Sequence, residues 1–193
     1  MHEARVSEAL LRRLNPSMLL HSDKSISISE TAGDEKGRGT ITFQLTSLCF
    51  RLRLPPEPVK WLANQQCADA VIFEFAGERT ILHLIEMKTT MRPDAWTKTK
   101  QQLVGPYHNA LALAGVLQLS PPFEFKAHVA YREDRLGPAA TADGLMLKQP
   151  LGKLATETFN DWSEGRIGID GMADIPLNKI RRDGDGNASA SLG

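Results

Sequence analysis

Long apolar runs and paired cysteines are missing from this sequence. No apolar stretch approaches the ~20 residues that a membrane-spanning helix requires, so we expect no membrane partner. The first residues carry Glu3, Arg5 and Glu8 where a secretory signal would be apolar, and we therefore expect a cytoplasmic protein. The two cysteines, Cys49 and Cys67, form no CxxC pair, and we expect both to be buried, reduced thiols.

An excess of charge of one sign is also absent. The 193 residues include 23 basic and 23 acidic side chains, so whole-chain charge gives no argument for a nucleic-acid partner. There is no GxxxxGK[ST] phosphate loop and no GxSxG elbow, which disfavours ATP hydrolysis and serine-hydrolase chemistry. Basic residues outnumber acidic ones between Lys88 and Gln102, but this local charge alone is typical of a solvated helix face.

What the sequence does contain is an alternation of helical and extended patterns. Apolar periodicity predicts the order helix, strand, strand, strand, helix, strand, at residues 2–14, 40–54, 70–75, 80–87, 94–119 and 123–131. Asp94 is the predicted N-cap of the second helix, and Pro106 should kink it. We therefore expect an α/β fold in which helices flank a mixed sheet.

The predicted organisation is one domain over residues 1–179 followed by a disordered tail over 180–193. The tail consists mainly of Gly, Ser, Asp and Asn, which offer almost no apolar surface to bury. Its Asp-Gly-Asp-Gly-Asn run lacks the terminal glutamate of a calcium loop, so we interpret it as flexible.

The second and third predicted strands flank Ala76-Gly77-Glu78-Arg79, which is a tight-turn pattern. With Gly77 and Glu78 at the turn's two central positions, Val71 faces Leu84 and Asp69 faces Glu86. Lys88 projects on the same side as Glu86, because side chains alternate along a strand. The predicted register thus gathers two carboxylates and an amine at the open end of one hairpin.

Such an arrangement is unfavourable unless something bridges the two acids. Like charges opposed across a strand pair repel, whereas a hard cation held by both makes them favourable. Mg²⁺ commonly takes one or two carboxylates together with a substrate phosphate, as phosphodiester hydrolysis requires. Lys88 would stabilise charge on the same phosphate or orient the attacking water.

An acidic-x-Lys triplet alone carries no weight, since it occurs three times, ending at Lys36, Lys88 and Lys126. The first triplet lies in a polar loop, and the third has no acid placed opposite it by a hairpin. Only Glu86-Met87-Lys88 ends an apolar strand with a partner aspartate at the start of the preceding strand. This context makes Glu86-Met87-Lys88 the triplet that indicates metal-dependent phosphodiester hydrolysis.

The stretch from Cys67 to Leu119 resembles the PD-(D/E)xK nuclease superfamily. The resemblance implies the restriction-endonuclease-like αβββαβ core, with Asp69, Glu86 and Lys88 as catalytic residues. It further implies a Mg²⁺ or Mn²⁺ ion held by Asp69, Glu86 and the backbone carbonyl of Met87. Two features depart from the family pattern: Ala68 stands where a proline is usual, and Gln102 and Tyr107 do not match a glutamine-x-x-x-tyrosine signature.

The family also uses side chains outside the triplet. A basic or amide side chain from the following helix would here be Lys100, Gln101 or Gln102, and an acid from the first helix would be Glu8. Lys100 shares the apolar stripe of Trp96 and should lean toward the sheet, whereas at most one of the two adjacent glutamines points there. A solvated helix face remains an equal alternative for these residues.

The resemblance implies a nuclease, with DNA favoured over RNA. No sequence-reading module is visible, so we expect specificity to come from a homodimer or a partner protein in a defence or DNA-processing complex. The alternative is a catalytically inactive nuclease-fold module that binds protein or nucleic acid. In that case Asp69, Glu86 and Lys88 would form only an ion-pair cluster at the surface.

Overall fold

The computed structural model describes residues 11–15, 19–30, 38–52, 68–136 and 161–192. It is a mixed α/β structure dominated by strands, in which residues 161–164 are also helical. The elements are β1 (Leu19–Ser22), β2 (Ser25–Glu30), β3 (Gly39–Leu45), β4 (Leu48–Leu52), β5 (Ala70–Ala76), β6 (Arg79–Met91), α1 (Pro93–Val116), β7 (Phe123–Asp134), β8 (Arg166–Ile169), β9 (Met172–Arg181) and β10 (Ala188–Leu192). None of the helices in these ranges is long and apolar enough to span a membrane.

Seven strands form the main sheet in the order β1-β4-β5-β6-β7-β9-β8. β4, β5 and β6 are antiparallel neighbours, and α1 then returns the chain so that β7 lies parallel to β6. α1 covers one face, where Leu82, Leu84 and Trp96 belong to the same buried cluster. The predicted first helix lies almost wholly outside the described residues, which include only 11–14 of it.

A second sheet of three strands, in the order β10-β3-β2, covers the opposite face. Ile26, Ile41 and Phe43 pack there against Ile72 and Ile85 of the main sheet. The single strand predicted over 40–54 is therefore wrong. The chain bends at Thr46 and Ser47, so β3 belongs to the small sheet and β4 to the large one. Apolar content alone cannot mark such a break, because both halves are half buried.

The predicted register of the β5–β6 hairpin is confirmed. Val71 pairs with Leu84, and Phe75 pairs with Thr80. Gly77 has a φ of +60°, which a first turn position of this hairpin type requires and which glycine adopts without a steric penalty. The turn residue thus fixes which side chains share a face.

α1 begins one residue before the predicted range, and the predicted N-cap, Asp94, is wrong by two residues. Arg92 is the N-cap in extended conformation, Pro93 follows as the first helical residue, and Asp94 lies in the first turn. Proline suits that position, because its missing N–H would have no helical acceptor there. The helix continues through Pro106 to Val116.

Residues 188–192 of the segment expected to be a disordered tail, 180–193, instead complete the small sheet. Ala188–Leu192 forms β10, paired in parallel with β3 from Ile41 to Leu45. Leu192 is buried in the core between the sheets. The prediction from composition is wrong because alternating alanines and serines can pack against a sheet, although their own side chains have little apolar volume.

We expect Leu192→Ala to lower the free energy of unfolding by about 2–4 kcal/mol, as usual for a buried leucine. Ser191→Ala, one residue earlier and exposed, should change it by less than about 0.5 kcal/mol. Urea denaturation of both variants measures the difference. Equal midpoints for the two variants would mean that the C-terminal strand is not docked.

Candidate metal and phosphodiester site

The predicted catalytic residues meet at the open end of the β5–β6 hairpin. The ladder ends with Ala70 opposite Ile85, and Asp69 lies just before β5, its N–H donating to the Ile85 carbonyl at 3.1 Å. β6 continues to Met91, so Glu86 and Lys88 extend beyond the end of β5. The site is therefore a step at the end of β5, beyond which β7 is the only described strand that pairs with β6.

Asp69 is fixed by the backbone of the longer strand. Its Oδ2 accepts a hydrogen bond from the N–H of Met87 at 2.6 Å. Burial raises the pKa of Asp69, and this hydrogen bond, Lys88 and two arginines oppose the rise. The carboxylate is thus oriented rigidly in a poorly hydrated place.

Glu86 is the charged side chain of the site whose burial is least compensated. It is 2% exposed; its Oε1 accepts a hydrogen bond from Lys88 Nζ, and its Oε2 is buried with no hydrogen-bond donor among the described residues. Burial, with repulsion from Asp69 second, raises the pKa of Glu86 to about 8 against the opposing effect of Lys88. A buried carboxylate oxygen without a donor is costly, and a bound cation would relieve that cost.

The donor set fits a hard cation. Asp69 and Glu86 supply carboxylate oxygens, and the Met87 carbonyl points to the side on which Asp69 lies, because N–H and C=O of one strand residue project together. No group of three or more His, Cys, Asp or Glu side chains in the described ranges is placed to hold a metal. Two carboxylates with a carbonyl instead match the sparse protein ligation typical of Mg²⁺.

Arg182 and Glu30 are charged residues near the site that were not predicted. Arg182, 3% exposed, donates from Nη2 to the Lys88 carbonyl at 3.1 Å, and its Nη1 lies 3.7 Å from Glu30 Oε2. Arg182 opposes the rise in the pKa of Asp69, whereas Glu30 adds to that of Glu86. Arg182 lies in the segment predicted to be disordered; the period-two alternation of Ala188, Ala190 and Leu192 beyond it was the signal that could have shown an ordered strand.

The predicted accessory residues are not brought to the carboxylates by any described contact. Lys100 Nζ binds Asp161 at 2.8 Å and lies 5.8 Å from the ring centre of Trp96. Gln101 is exposed, while Gln102 is half buried and points inward, its Oε1 buried without a hydrogen bond from the described residues. Glu8 lies outside the described residues.

A second titratable cluster lies on the other face of β6, between the two sheets. Glu74 accepts from His83 Nε2 at 2.9 Å, and His83 Nδ1 lies 2.9 Å from His128 Nε2. A carboxylate only accepts, so His83 donates to it and must itself accept from His128, whose Nδ1 faces the Asn178 amide at 3.4 Å. Every ring nitrogen has a partner, and burial lowers the pKa of both histidines, which favours their neutral forms.

We expect His128→Gln to flatten the dependence of stability on pH. A histidine with a lowered folded pKa binds its proton only after unfolding, so wild-type stability falls as pH drops below about 6.5. Between pH 7 and pH 5 the variant should lose about 1–2 kcal/mol less than wild type, although it is less stable at pH 7. Asp69 and Glu86 contribute to the pH dependence of stability with the opposite sign. They are unchanged in the variant, so their contribution cancels when the two proteins are compared.

Urea titrations at the two pH values measure this difference, and His21→Gln, at an exposed strand position, should keep the wild-type slope. A His128→Gln slope equal to that of wild type would contradict neutral histidines in the folded state.

Comparison with known proteins gives no match: no family model, no curated protein and no solved structure matches this chain.

Proposed function

We propose that this protein is a metal-dependent nuclease that hydrolyses phosphodiester bonds, with DNA as its substrate. The observation that carries the proposal is a pair of carboxylates, Asp69 and Glu86, held together at the open end of the hairpin, with one buried oxygen that has no donor among the described residues. The strand order β4-β5-β6, followed by α1 and a parallel β7, is the order expected of the restriction-endonuclease-like core and supports the proposal.

Asp69, Glu86 and the Met87 carbonyl would hold Mg²⁺ or Mn²⁺. When bound, the ion would supply positive charge for the phosphate and lower the pKa of the attacking water. The Met87 N–H holds the Asp69 carboxylate in place throughout. Lys88, with 20% of its side chain exposed, would exchange its bond to Glu86 for one to a phosphate oxygen and stabilise the charge that develops there.

A non-catalytic binding module is the second candidate. The ion pair between Lys88 Nζ and Glu86 Oε1 favours it, because that pair compensates both charges without a cation. The pair is largely buried rather than on the surface, so it offsets a desolvation cost that a purely structural cluster need not incur.

Incubation of the protein with plasmid and single-stranded DNA tests the two candidates. A nuclease cleaves in Mg²⁺ or Mn²⁺ and stops in EDTA, whereas a binding module cleaves under neither condition. Light scattering during size-exclusion chromatography tests the further proposal that specificity comes from a homodimer; a monomer that cuts efficiently alone would count against it.

A further inference from the structure

A row of three polar side chains runs across the sheet beside the carboxylates. Lys88 of β6 is paired with Tyr131 of β7, which is paired in turn with Arg181 of β9. These three residues, here called the Lys88 row, follow strand positions whose side chains pack on the α1 face, as shown by Leu84, Val129 and Leu177. Strands lie about 4.8 Å apart, so the row spans roughly 10 Å.

Arg181 is the residue of this row for which the described contacts show no structural role. It is exposed, and within the described ranges no acidic side chain forms an ion pair with it. Its neighbour Arg182 is buried on the opposite face, as alternation along the strand requires. The next cation on the same face, Lys179, is already committed to the Trp162 carbonyl at 2.9 Å and to its ring at 5.3 Å.

Tyr131 is held in place between the two cations. Its ring packs edge-on against buried Trp162 with centroids 5.4 Å apart. The nearby acids are engaged elsewhere: Asp134 accepts from the Trp162 indole at 3.1 Å, and Glu133 pairs with Arg135 at 2.9 Å. The row therefore offers an ammonium, a phenol and a guanidinium in succession.

We propose that the Lys88 row binds the phosphodiester backbone of one nucleic-acid strand as it leaves the cleavage site. This inference rests on the proposed function. Arg181 binds a phosphate through its planar fork, and the Tyr131 hydroxyl donates to a neighbouring oxygen. Roughly 10 Å is about the length covered by three nucleotides of one B-form strand, so the row binds more than the scissile phosphate.

Fluorescence anisotropy with a short labelled oligonucleotide in EDTA, measured over a series of NaCl concentrations, tests the row. Single-stranded DNA, duplex DNA and single-stranded RNA are tested separately. The one that binds most tightly identifies the form of nucleic acid that the row recognises. Arg181→Ala should weaken binding roughly 3- to 10-fold and reduce the slope of log Kd against log salt by about 0.7–0.9, the loss of one phosphate contact. Tyr131→Phe should weaken binding without changing the slope, because no charge is removed.

Arg181→Lys should retain the slope, which separates lost charge from altered structure. Arg79→Ala is the matched control, since it removes an exposed arginine at the opposite end of β6. An Arg181→Ala slope equal to that of wild type, or no oligonucleotide binding by wild type, overturns the Lys88 row. If wild type cleaves DNA while Arg181→Ala binds normally, the row fails but the nuclease stands. If the slope falls while wild type never cleaves, the nuclease fails, and the Lys88 row is a nucleic-acid contact without a cleavage site beside it.

Discussion

Lys88→Ala is expected to reduce metal-dependent DNA cleavage by roughly 10²- to 10³-fold, the usual cost of removing a donor that stabilises developing charge. The substitution leaves Asp69, Glu86 and the Met87 carbonyl in place, so Mn²⁺ should still raise the melting temperature of the variant. Single-turnover cleavage of a labelled DNA duplex, with the variant in excess, measures the chemical step. Lys88→Met serves as a second variant that keeps the length of the side chain.

The chain supplies its own control in Lys126→Ala. Lys126 ends the triplet Glu124-Phe125-Lys126 on β7 and has the same acid spacing, but no hairpin places a second acid opposite it. This variant should cleave at the wild-type rate. Cleavage by Lys88→Ala that is as fast as wild type would assign the activity to a contaminant or to other residues.

Glu86→Gln is expected to abolish cleavage and yet make the metal-free protein more stable at pH 8. The folded state raises the pKa of Glu86 to about 8 from a usual value near 4.5, so wild type loses stability as pH rises between these values. Glutamine carries no charge, so the variant does not lose stability in this pH range. We expect a gain of about 1–3 kcal/mol at pH 8, equivalent to several degrees in melting temperature, and almost none at pH 4.5.

Mn²⁺ should reverse the order of stability of wild type and Glu86→Gln. The ion stabilises wild type by binding only the folded state, whereas Glu86→Gln has lost a charged ligand and should respond weakly. Glu78→Gln, at an exposed turn position of the same hairpin, should behave as wild type at both pH values. A Glu86→Gln protein that is less stable than wild type at pH 8 would show that the buried carboxylate is satisfied without a cation.

The hairpin at the centre of this site could be predicted because its information is local. A glycine at a turn position sets the register, and alternation along two apolar strands then determines which side chains share a face. That is why Asp69, Glu86 and Lys88 were placed together from the sequence alone, and why the pairing of Val71 with Leu84 is confirmed.

The parts that could not be predicted depend on distant segments. His83 lies on the face that the small sheet covers, and the strands of that sheet come from residues 25–45 and 188–192. Arg182 contacts the Lys88 backbone across 94 positions of sequence, and a Gly- and Ser-rich composition hides that packing. Lys100 was expected near the carboxylates, but its ammonium binds Asp161, whose position no local pattern indicates.

Anomalous diffraction from a crystal soaked in Mn²⁺ tests most directly whether Asp69 and Glu86 share one cation. We expect a single strong peak at the open end of the hairpin, about 2.0–2.3 Å from oxygens of both carboxylates and of the Met87 carbonyl, with Lys88 Nζ moved off Glu86. Full Mn²⁺ occupancy elsewhere with no peak there, and Lys88 still bound to Glu86, would contradict the proposed chemistry.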